Sequence, residues 1–399
     1  MKLLVIQEQH FKQLPNREVW VDEQSNIKFW ERYLNVYEEI CVCARLMHVD
    51  SIDESKYMRS DRDRVHFAGL PNFRGVGGLI KNLFKVISIM KAQIEQSDCI
   101  IFRAPSPISM IAYPLVKRSK KPFAVEIMNN PATHFSKKAM QNFYQPIITY
   151  LMVRQTRSMC LSANGVSYVT DRVLQELYPS KARIQGQSTN YFESSYSTIR
   201  LEDSNYRFEE WKEDLPPKVM LIHTGKMQDN RKGQDIFIKA ISILRKKGFN
   251  IGGILVGDGV KRSEFEQLGK DLGIGDDLDF VGWKAGFEAV QKELIKSHIA
   301  VFPSMGEGLP RAVIEAMANG LLCIGSKVDG LCELLDEDLL VPELNEDSFA
   351  LYIEKFLNNW GTVESKRRHL YEISKKYHNN ILKQKRNGFY SKLKSLGKK

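Results

Sequence analysis

Two glutamates lie where the sequence changes from an apolar strand to a helix. In the stretch FPSMGEGLPRAVIEAMANG, Glu307 stands in a glycine-rich turn, and Glu315 follows Pro310, a residue suited to the first turn of a helix. Carboxylates at such a place accept hydrogen bonds from hydroxyl pairs, such as a ribose diol or a sugar ring. For Glu315 the alternative is a structural ion pair, because a glutamate within VIEAMA is buried on one side and needs a partner.

Basic residues follow an earlier strand, in the stretch HTGKMQDNRKGQD. Gly225 ends that strand, and Lys226, Arg231 and Lys232 precede a helix whose first N–H groups are unpaired and whose dipole favours an anion. The stretch therefore has the residues of a diphosphate site. A solvated basic turn is the alternative if the stretch is considered alone.

A second glycine turn follows the strand in ILVGDGVKRSEFEQL. Its Gly257 and Gly259 would let a ligand or another loop approach the backbone. It is not the Rossmann fingerprint, because no third glycine follows at the required spacing. Together with the basic turn and the two glutamates, this turn predicts a nucleotide-sugar site.

Short apolar strands alternate with helical segments along most of the chain, which indicates right-handed βαβ units and parallel sheets covered on both faces. The predicted strands are KLLVIQ, EEICVCARL, DRVHFAGL, CIIFRAP, PFAVEIM, GVSYVT, KVMLIHTG, IGGILVGDG, LDFVGW, IAVFPS and LLCIGSK. Among the predicted helices are residues 79–96 and 136–161. The predicted fold class is α/β, with two doubly wound Rossmann-like domains and a substrate cleft between them.

A polar stretch that ends in Pro216-Pro217 indicates a linker between the two domains. The predicted boundaries are an N-terminal domain at residues 1–190, a linker at 191–217 and a C-terminal domain at 218–360. Residues 361–399 are predicted as a helical basic tail that packs back on the N-terminal domain.

The composition is that of a globular protein, with 43% hydrophobic and 27% charged residues in a chain of 399, long enough for two cores. The net charge of +10 is concentrated in residues 1–199, which contain 26 Lys and Arg against 18 Asp and Glu. This excess predicts an anionic partner: nucleic acid, a phospholipid surface or a phosphate-bearing substrate.

The cellular location is predicted from what the sequence lacks. Met1 leads directly into a strand-like run too short for a signal peptide, and no apolar run approaches the ~20 residues of a spanning helix. The six cysteines show no CxxC pair and no metal spacing with histidine, so they are predicted as core residues in a reducing cytosol. The protein is expected in the cytoplasm, or on the inner face of the cytoplasmic membrane.

The segment RGVGGLIKNLFKVISIMKAQIEQ is amphipathic, and it carries Arg74, Lys81, Lys85 and Lys91 among Leu, Ile, Phe and Met residues. Two interpretations remain open. The helix covers a sheet, as most such helices do, or it rests on an anionic bilayer.

The spacing of Glu307 and Glu315, with seven residues between them, resembles the E-x7-E signature of retaining glycosyltransferases with the GT-B fold, the family-4 type known as glycosyl transferases group 1. The segments TGKMQDNRKG, LVGDG, LDFVGW and KVDGLCELL match this family in order. The resemblance covers about residues 218–342, and the first domain is similar in layout to polysaccharide-assembly members. It implies that the first domain binds the acceptor and the second domain binds the nucleotide-sugar donor.

The resemblance also implies roles for single residues. Lys226 and Lys232 match the basic pair that cradles the donor diphosphate. Glu315 matches the glutamate that holds the ribose hydroxyls, and Glu307 the one that contacts the donor sugar. The remaining positions are backbone near the phosphate or a wall against the base: Gly308, Leu309, Pro310, Val281 and Trp283. Such enzymes are usually metal-independent, so no metal and no cofactor are expected.

Three departures from the family are visible. Lys226 stands where arginine is common, which keeps the charge and loses bidentate geometry. The late Gly-Gly motif reads Asp329-Gly330, and QEQHFKQLPNRE replaces the glycine-rich loop after the first strand.

Acceptor-side candidates lie in two loops of the first domain, FRAPSP and VEIMNNPATH. Arg103 would meet an anionic acceptor or a phosphate. The candidates for sugar hydroxyls are Glu126, Asn129, Asn130 and His134. A structural or capping role is the alternative for each.

The predicted function is transfer of a sugar from a UDP- or GDP-sugar to a glycan or lipid-linked saccharide, in cell-surface polysaccharide (capsule) biosynthesis. Two alternatives are weighed: a nucleotide-sugar epimerase or phosphorylase of the same fold, and a non-catalytic basic scaffold or nucleic-acid binder. Nucleic acid is not expected as a partner, because the basic residues do not interleave with aromatic ones.

Overall fold

The computed structural model describes residues 1–22, 25–54, 56–73, 75–134, 145–212, 214–284 and 286–398. The chain divides into two compact units. Of the described residues, those of 1–134, 145–196 and 383–398 form unit 1, and those of 197–382 form unit 2. Each unit has a largely parallel sheet with helices between its strands, which confirms the predicted pair of Rossmann-like α/β domains.

The sheet of unit 1 is parallel except at one edge, where β2 pairs antiparallel with both β1 and β4. The strand order is β4-β2-β1-β6-β7-β8-β9, and β3 and β5 extend from β1. The strands are β1 (Lys2–Gln13), β2 (Val19–Val21), β3 (Glu39–His48), β4 (Met58–Arg59), β5 (Val65–Pro71), β6 (Cys99–Ala104), β7 (Phe123–Ile127), β8 (Gly165–Tyr168) and β9 (Phe192–Ser195).

The helices of unit 1 lie between these strands. They are α1 (Ile27–Leu34), α2 (Gly75–Glu95), α3 (Pro107–Ser119), α4 (Pro131–His134), α5 (Gln145–Ser162), α6 (Val173–Leu177) and α7 (Lys181–Gln185). Polar caps fix several of their starts. Ser106 accepts a hydrogen bond from the backbone N–H of Ser109 at the start of α3, and Asn26 does the same for Phe29 at the start of α1.

The sheet of unit 2 is parallel throughout, in the order β12-β11-β10-β13-β14-β15. The strands are β10 (Val219–Thr224), β11 (Ile251–Val256), β12 (Leu278–Gly282), β13 (Ile299–Phe302), β14 (Leu322–Ser326) and β15 (Leu340–Val341). Every residue of β11, β13 and β14 is buried, as expected for central strands covered by helices on both faces.

The helices of unit 2 complete the alternation. They are α8 (Gln234–Lys246), α9 (Arg262–Asp271), α10 (Phe287–Leu294), α11 (Arg311–Ala318), α12 (Leu331–Leu334), α13 (Glu346–Asn358) and α14 (Val363–Ser374). The last helix, α15 (Asn379–Gly397), begins in unit 2 and continues into unit 1.

All eleven predicted strands are present. Four short strands were not predicted: β2, β4, β9 and β15. β9 lies in the segment assigned to the linker, and its residues FESS are too polar to indicate a strand without the neighbouring β8. The predicted helix at residues 79–96 is α2, and the one at 136–161 is observed as α5, because residues 136–144 lie outside the described part of the chain.

No helix in the described part of the chain is long and apolar enough to cross a membrane.

Candidate functional site

The loops of unit 2 that carry the predicted donor residues all leave the same edge of its sheet. Because β10 to β14 are parallel, their carboxyl ends lie side by side, and the following loops meet there. Backbone hydrogen bonds join these loops: Met227 N–H to Asp258 O (2.9 Å), Gly257 N–H to Gly282 O (2.9 Å), Met305 N–H to Arg231 O (2.9 Å) and Gly330 N–H to Glu307 O (3.3 Å). The predicted residues are thus held together by main-chain contacts.

Gly257 and Gly259 let two of these loops touch. Both have positive φ angles, +140° and +159°. A Cβ atom at Gly257 would lie 2.0 Å from the carbonyl oxygen of Gly225, and one at Gly259 would lie 2.4 Å from the carbonyl carbon of Met227. The sequence allowed either a ligand or another loop to approach these glycines. In the structure another loop, the one that follows β10, lies against them.

Lys232 and Glu307 form an ion pair at this edge. The ammonium nitrogen of Lys232 lies 2.5 Å from Oε1 of Glu307, and the hydroxyl of Ser304 donates to the same oxygen at 2.8 Å. The lysine side chain is 37% exposed and the glutamate side chain only 12%. Lys232 can therefore turn toward an incoming anion, whereas Ser304 keeps the carboxylate in place.

The other two basic residues differ in their surroundings. Arg231 is paired with Asp229. Both the side-chain Nε of Arg231 (2.8 Å) and its backbone N–H (3.0 Å) donate to the Asp229 carboxylate. Lys226 is exposed on the loop that begins at Gly225. Lys226 and Lys232 thus lie near the carboxyl end of β10. Arg231 and Lys232 are each paired with a carboxylate, Arg231 with Asp229 in its own turn and Lys232 with Glu307 in another loop.

In the part of the chain that the structure describes, no side chain caps the start of helix α11. Pro310 precedes it in an extended conformation (φ −72°, ψ 112°), not inside the first turn. Within the described residues, the backbone N–H groups of Gly308, Leu309, Arg311 and Ala312 have no hydrogen-bond partner. Unpaired N–H groups at a helix start form a binding site for an anion.

Glu315 lies one turn into α11 and is partly buried. Its carboxylate makes no hydrogen bond or ion pair with any residue that the structure describes. Burial raises its pKa, against a smaller lowering by Arg311. A carboxylate that loses solvent without gaining an internal partner is suited to accept hydrogen bonds from ligand hydroxyls.

Val281 and Trp283 lie at the end of β12, the edge strand of the sheet. Trp283 is 38% exposed, and Gly282 between them accepts the hydrogen bond from Gly257. Trp283 follows Gly282 directly, so its exposed indole provides a flat apolar surface next to the point where β12 meets the Gly257 loop.

His223 lies at the same edge of the sheet and was not among the residues predicted from the sequence. It is buried at the end of β10, and its Nδ1 lies 2.9 Å from the carbonyl oxygen of Val301. Its Nε2 has no hydrogen-bond partner among the described residues, and it lies 3.3 Å from where a Cβ of Gly225 would stand. Burial, with a smaller contribution from Lys232, lowers its pKa to about 4. The only signal in the sequence was a histidine in an apolar strand just before the basic turn.

The buried imidazole of His223 should make the stability of unit 2 depend on pH. Its folded pKa of about 4 lies below the ordinary value of 6.5, so the unfolded chain binds the proton first as the pH falls. The free energy of unfolding should therefore decrease from pH 7 to pH 5, by about 2 kcal/mol. Urea unfolding of the wild type and of His223→Asn at both pH values measures this contribution. Equal pH dependence in the two proteins would contradict it.

Two candidates of unit 1, Glu126 and Arg103, have internal partners. The buried carboxylate of Glu126 accepts hydrogen bonds from the hydroxyl groups of three tyrosines, Tyr33 (2.9 Å), Tyr196 (3.1 Å) and Tyr390 (2.6 Å). Arg103 lies 3.4 Å from the same carboxylate and donates to Gln7. These contacts favour the structural alternative for Glu126, since its acceptor capacity is used inside the unit.

The remaining three unit 1 candidates follow β7. Asn130 is buried. Its side-chain oxygen accepts from the Ala132 N–H in the first turn of α4 (3.0 Å) and from the Tyr178 hydroxyl (2.6 Å). Asn129 is adjacent to it and also interacts within the chain. His134 ends α4, and its side chain lies outside the described residues. Acceptor binding at this edge remains a prediction.

Within the residues that the structure describes, no group of three or more His, Cys, Asp and Glu side chains is placed to hold a metal ion.

The chain is similar to known proteins in sequence and in fold. Residues 218–359 match the family described as glycosyl transferases group 1, so unit 2 carries a domain of this kind. Protein CapJ of Staphylococcus aureus is 24% identical over 313 residues, which are 78% of this chain and 76% of CapJ. The amylovoran biosynthesis glycosyltransferase AmsK of Erwinia amylovora is 29% identical over 129 residues, about 30% of this chain and 31% of AmsK.

Among solved structures, Anabaena HepE in complex with UDP superposes with a TM-score of 0.63 at 14% identity, over 96% of this chain and 98% of HepE. At this identity the likeness shows the fold, which is that of the GT-B glycosyltransferases.

Proposed function

Since residues 218–359 carry a glycosyl transferases group 1 domain, we propose that this chain is a retaining glycosyltransferase. It transfers a sugar from a UDP- or GDP-sugar to a glycan or lipid-linked saccharide during cell-surface polysaccharide synthesis. The observation that carries the proposal is the partly buried carboxylate of Glu315 on α11, next to the start of that helix. Neither the carboxylate nor the helix start has a side-chain partner among the described residues. A carboxylate that can accept hydrogen bonds from hydroxyl groups thus lies next to N–H groups that can donate to phosphate. A nucleoside diphosphate, with its ribose hydroxyls and its phosphates, requires both.

The donor is assigned to the carboxyl edge of the unit 2 sheet. Its diphosphate is held by Lys226, Lys232 and the backbone N–H groups at the start of α11. Glu315 accepts from the ribose hydroxyls, and Glu307 contacts the sugar. The base lies against Val281 and Trp283. Unit 1 holds the acceptor. The presence of UDP in the HepE structure supports a donor of this class.

In the proposed reaction, the bond between C1 of the sugar and the phosphate oxygen breaks while C1 bonds to the acceptor hydroxyl oxygen. Attack from the face that the diphosphate leaves gives retention of configuration. The hydroxyl proton goes to the departing diphosphate, whose growing negative charge Lys226 and Lys232 stabilise. No metal is required, because these cations and the helix start supply the positive charge.

The biosynthetic setting is inferred from the relatives. AmsK is named for the biosynthesis of amylovoran, and its similarity supports assembly of a polysaccharide as the role of this chain.

Nucleoside diphosphate binding tests the proposal directly. Adding UDP or GDP at about 100 times its dissociation constant should stabilise the protein by about 2.7 kcal/mol and raise its melting temperature by several degrees. The measurement is a thermal-shift series with UDP, GDP and ADP, with and without EDTA.

Binding and transfer should both persist in EDTA. A protein that shows no shift with any of these nucleotides would contradict the proposal. Conversion of the donor sugar without an acceptor would instead indicate an epimerase of the same fold.

A further inference from the structure

Three helices of unit 1, α2, α3 and α5, form one layer beside its sheet, with α3 packed between α2 and α5. The proposed function uses none of their outward-facing residues. The outward side chains of α2 and α5 include several of the largest exposed apolar groups in the described part of the chain. We call this surface the α2–α5 face.

On α2 the exposed residues form one stripe along the helix. Ile80 is 66% exposed and Phe84, one turn later, is 87% exposed. Lys81, Lys85 and Lys91 are exposed along the same stripe. The inward side of the helix is occupied by buried residues such as Val86 and Met90. The sequence left two interpretations of this helix open, packing on the sheet or resting on a bilayer. Packing on the sheet explains the buried side of the helix and leaves the exposed stripe unexplained.

On α5 the pattern recurs. Ile147, Tyr150 and Leu151 are 61%, 62% and 42% exposed. Their spacing of three and four residues puts them on one side of the helix, and Arg154 is exposed on the next turn of that side. Two helices of the same layer thus present apolar side chains next to cationic ones.

The charge of this layer is strongly one-sided. The sequences of α2, α3 and α5 contain seven lysines and arginines and a single acidic residue, Glu95. Within the described residues, Lys81, Lys85, Lys91 and Arg154 have no carboxylate within ion-pair distance, whereas many other basic residues of the chain are paired. Their charge is therefore left for an external anionic partner.

We propose that the α2–α5 face docks on the surface of an anionic phospholipid bilayer. Phe84, Ile80 and Tyr150 would enter the boundary between headgroups and acyl chains, while the lysines and arginines contact the lipid phosphates. An exposed phenylalanine flanked by lysines suits a fluid anionic interface, because a lipid surface needs no matching pocket. This inference deepens the proposed function, since a lipid-linked acceptor lies in such a bilayer.

Vesicle binding by the full chain tests the proposal. Purified protein should co-sediment with vesicles of phosphatidylglycerol and phosphatidylcholine in equal parts, and not with vesicles of phosphatidylcholine alone. The double variant Ile80→Ser with Phe84→Ser should bind the anionic vesicles at least ~10-fold more weakly. The variant Lys81→Gln with Lys85→Gln should also weaken binding and reduce its dependence on salt.

Leu351→Ser is the matched control, because Leu351 is 61% exposed on α13 of unit 2. It should bind vesicles like the wild type. Equal binding to neutral vesicles, or equal loss in Leu351→Ser, would overturn the proposal. Self-association of the free protein that is abolished by Ile80→Ser with Phe84→Ser would also overturn it, in favour of a second copy on this face.

Nucleotide binding separates this inference from the proposed function. All these variants should keep the thermal shift with UDP or GDP, because the substituted residues lie outside the donor site. Vesicle binding without any nucleotide shift would leave the docking surface standing and contradict the glycosyltransferase assignment. A nucleotide shift without binding to anionic vesicles would support the proposed function and contradict the proposed docking surface.

Discussion

Replacing Lys232 with alanine should lower kcat/KM for sugar transfer at least ~100-fold, the loss expected for one strong charged contact to the leaving group. The lysine reaches the site from the turn before α8 and pairs with Glu307 at 2.5 Å. When a diphosphate leaves the sugar, its negative charge grows, and Lys232 is placed to stabilise it. Because the side chain is 37% exposed, its loss should leave the melting temperature nearly unchanged.

The control for this prediction is Lys239→Ala. Lys239 lies on α8 and pairs with Glu346 at 3.3 Å, with a side chain of similar exposure (38%). It should retain wild-type transfer. If Lys232→Ala keeps near-normal activity, or if Lys239→Ala loses as much, the assignment of Lys232 to the diphosphate is wrong.

Glu315→Gln should reduce transfer by a similar factor, at least ~100-fold, while the protein remains folded. The carboxylate has no internal partner in the described residues, so the substitution breaks no ion pair of the fold. What it removes is the negative charge that strengthens hydrogen bonds from the ribose hydroxyls. The measurement is transfer kinetics together with the affinity for the nucleoside diphosphate.

Deoxynucleotides make this test specific. The wild type should prefer a ribose donor over its 2′-deoxy and 3′-deoxy analogues, and Glu315→Gln should lose most of that preference. Glu354→Gln, on α13, is the control, since it changes a glutamate of unit 2 that pairs with Lys247 and lies outside the predicted donor residues. Undiminished discrimination in Glu315→Gln would show that the ribose is held elsewhere.

The sequence predicted eleven strands of the two sheets because each of them has a dense apolar run. The segments it missed are those whose stability depends on a neighbour. Val19–Val21 and Met58–Arg59 are too short to form a pattern, and each exists only as an antiparallel partner at the edge of the sheet. Likewise, QEQHFKQ after the first strand is polar, yet β1 continues through it to Gln13 by pairing with β3.

The sequence predicted which loops of unit 2 meet, because parallel strands bring their carboxyl ends to one edge of the sheet. The pairing of side chains was not predicted. From the sequence, the lysines were predicted to bind phosphates and the glutamates to bind hydroxyl groups. In the structure, Lys232 and Glu307 form an ion pair with each other. Two groups 75 residues apart give no local signal of such a contact. His223 was missed for the same reason, since its partner Val301 lies on another strand.

The tyrosine cluster around Glu126 has a consequence for the order in which the protein is made. Tyr390 lies on α15, which follows all of unit 2 in the chain, while Tyr33 and Tyr196 precede it. On the ribosome, residues 197–382 therefore emerge before unit 1 has its third tyrosine donor. Until then, one buried hydrogen bond to the Glu126 carboxylate cannot form. Unit 1 begins synthesis first and becomes complete last, so a stalled or shortened product would contain an unfinished first unit.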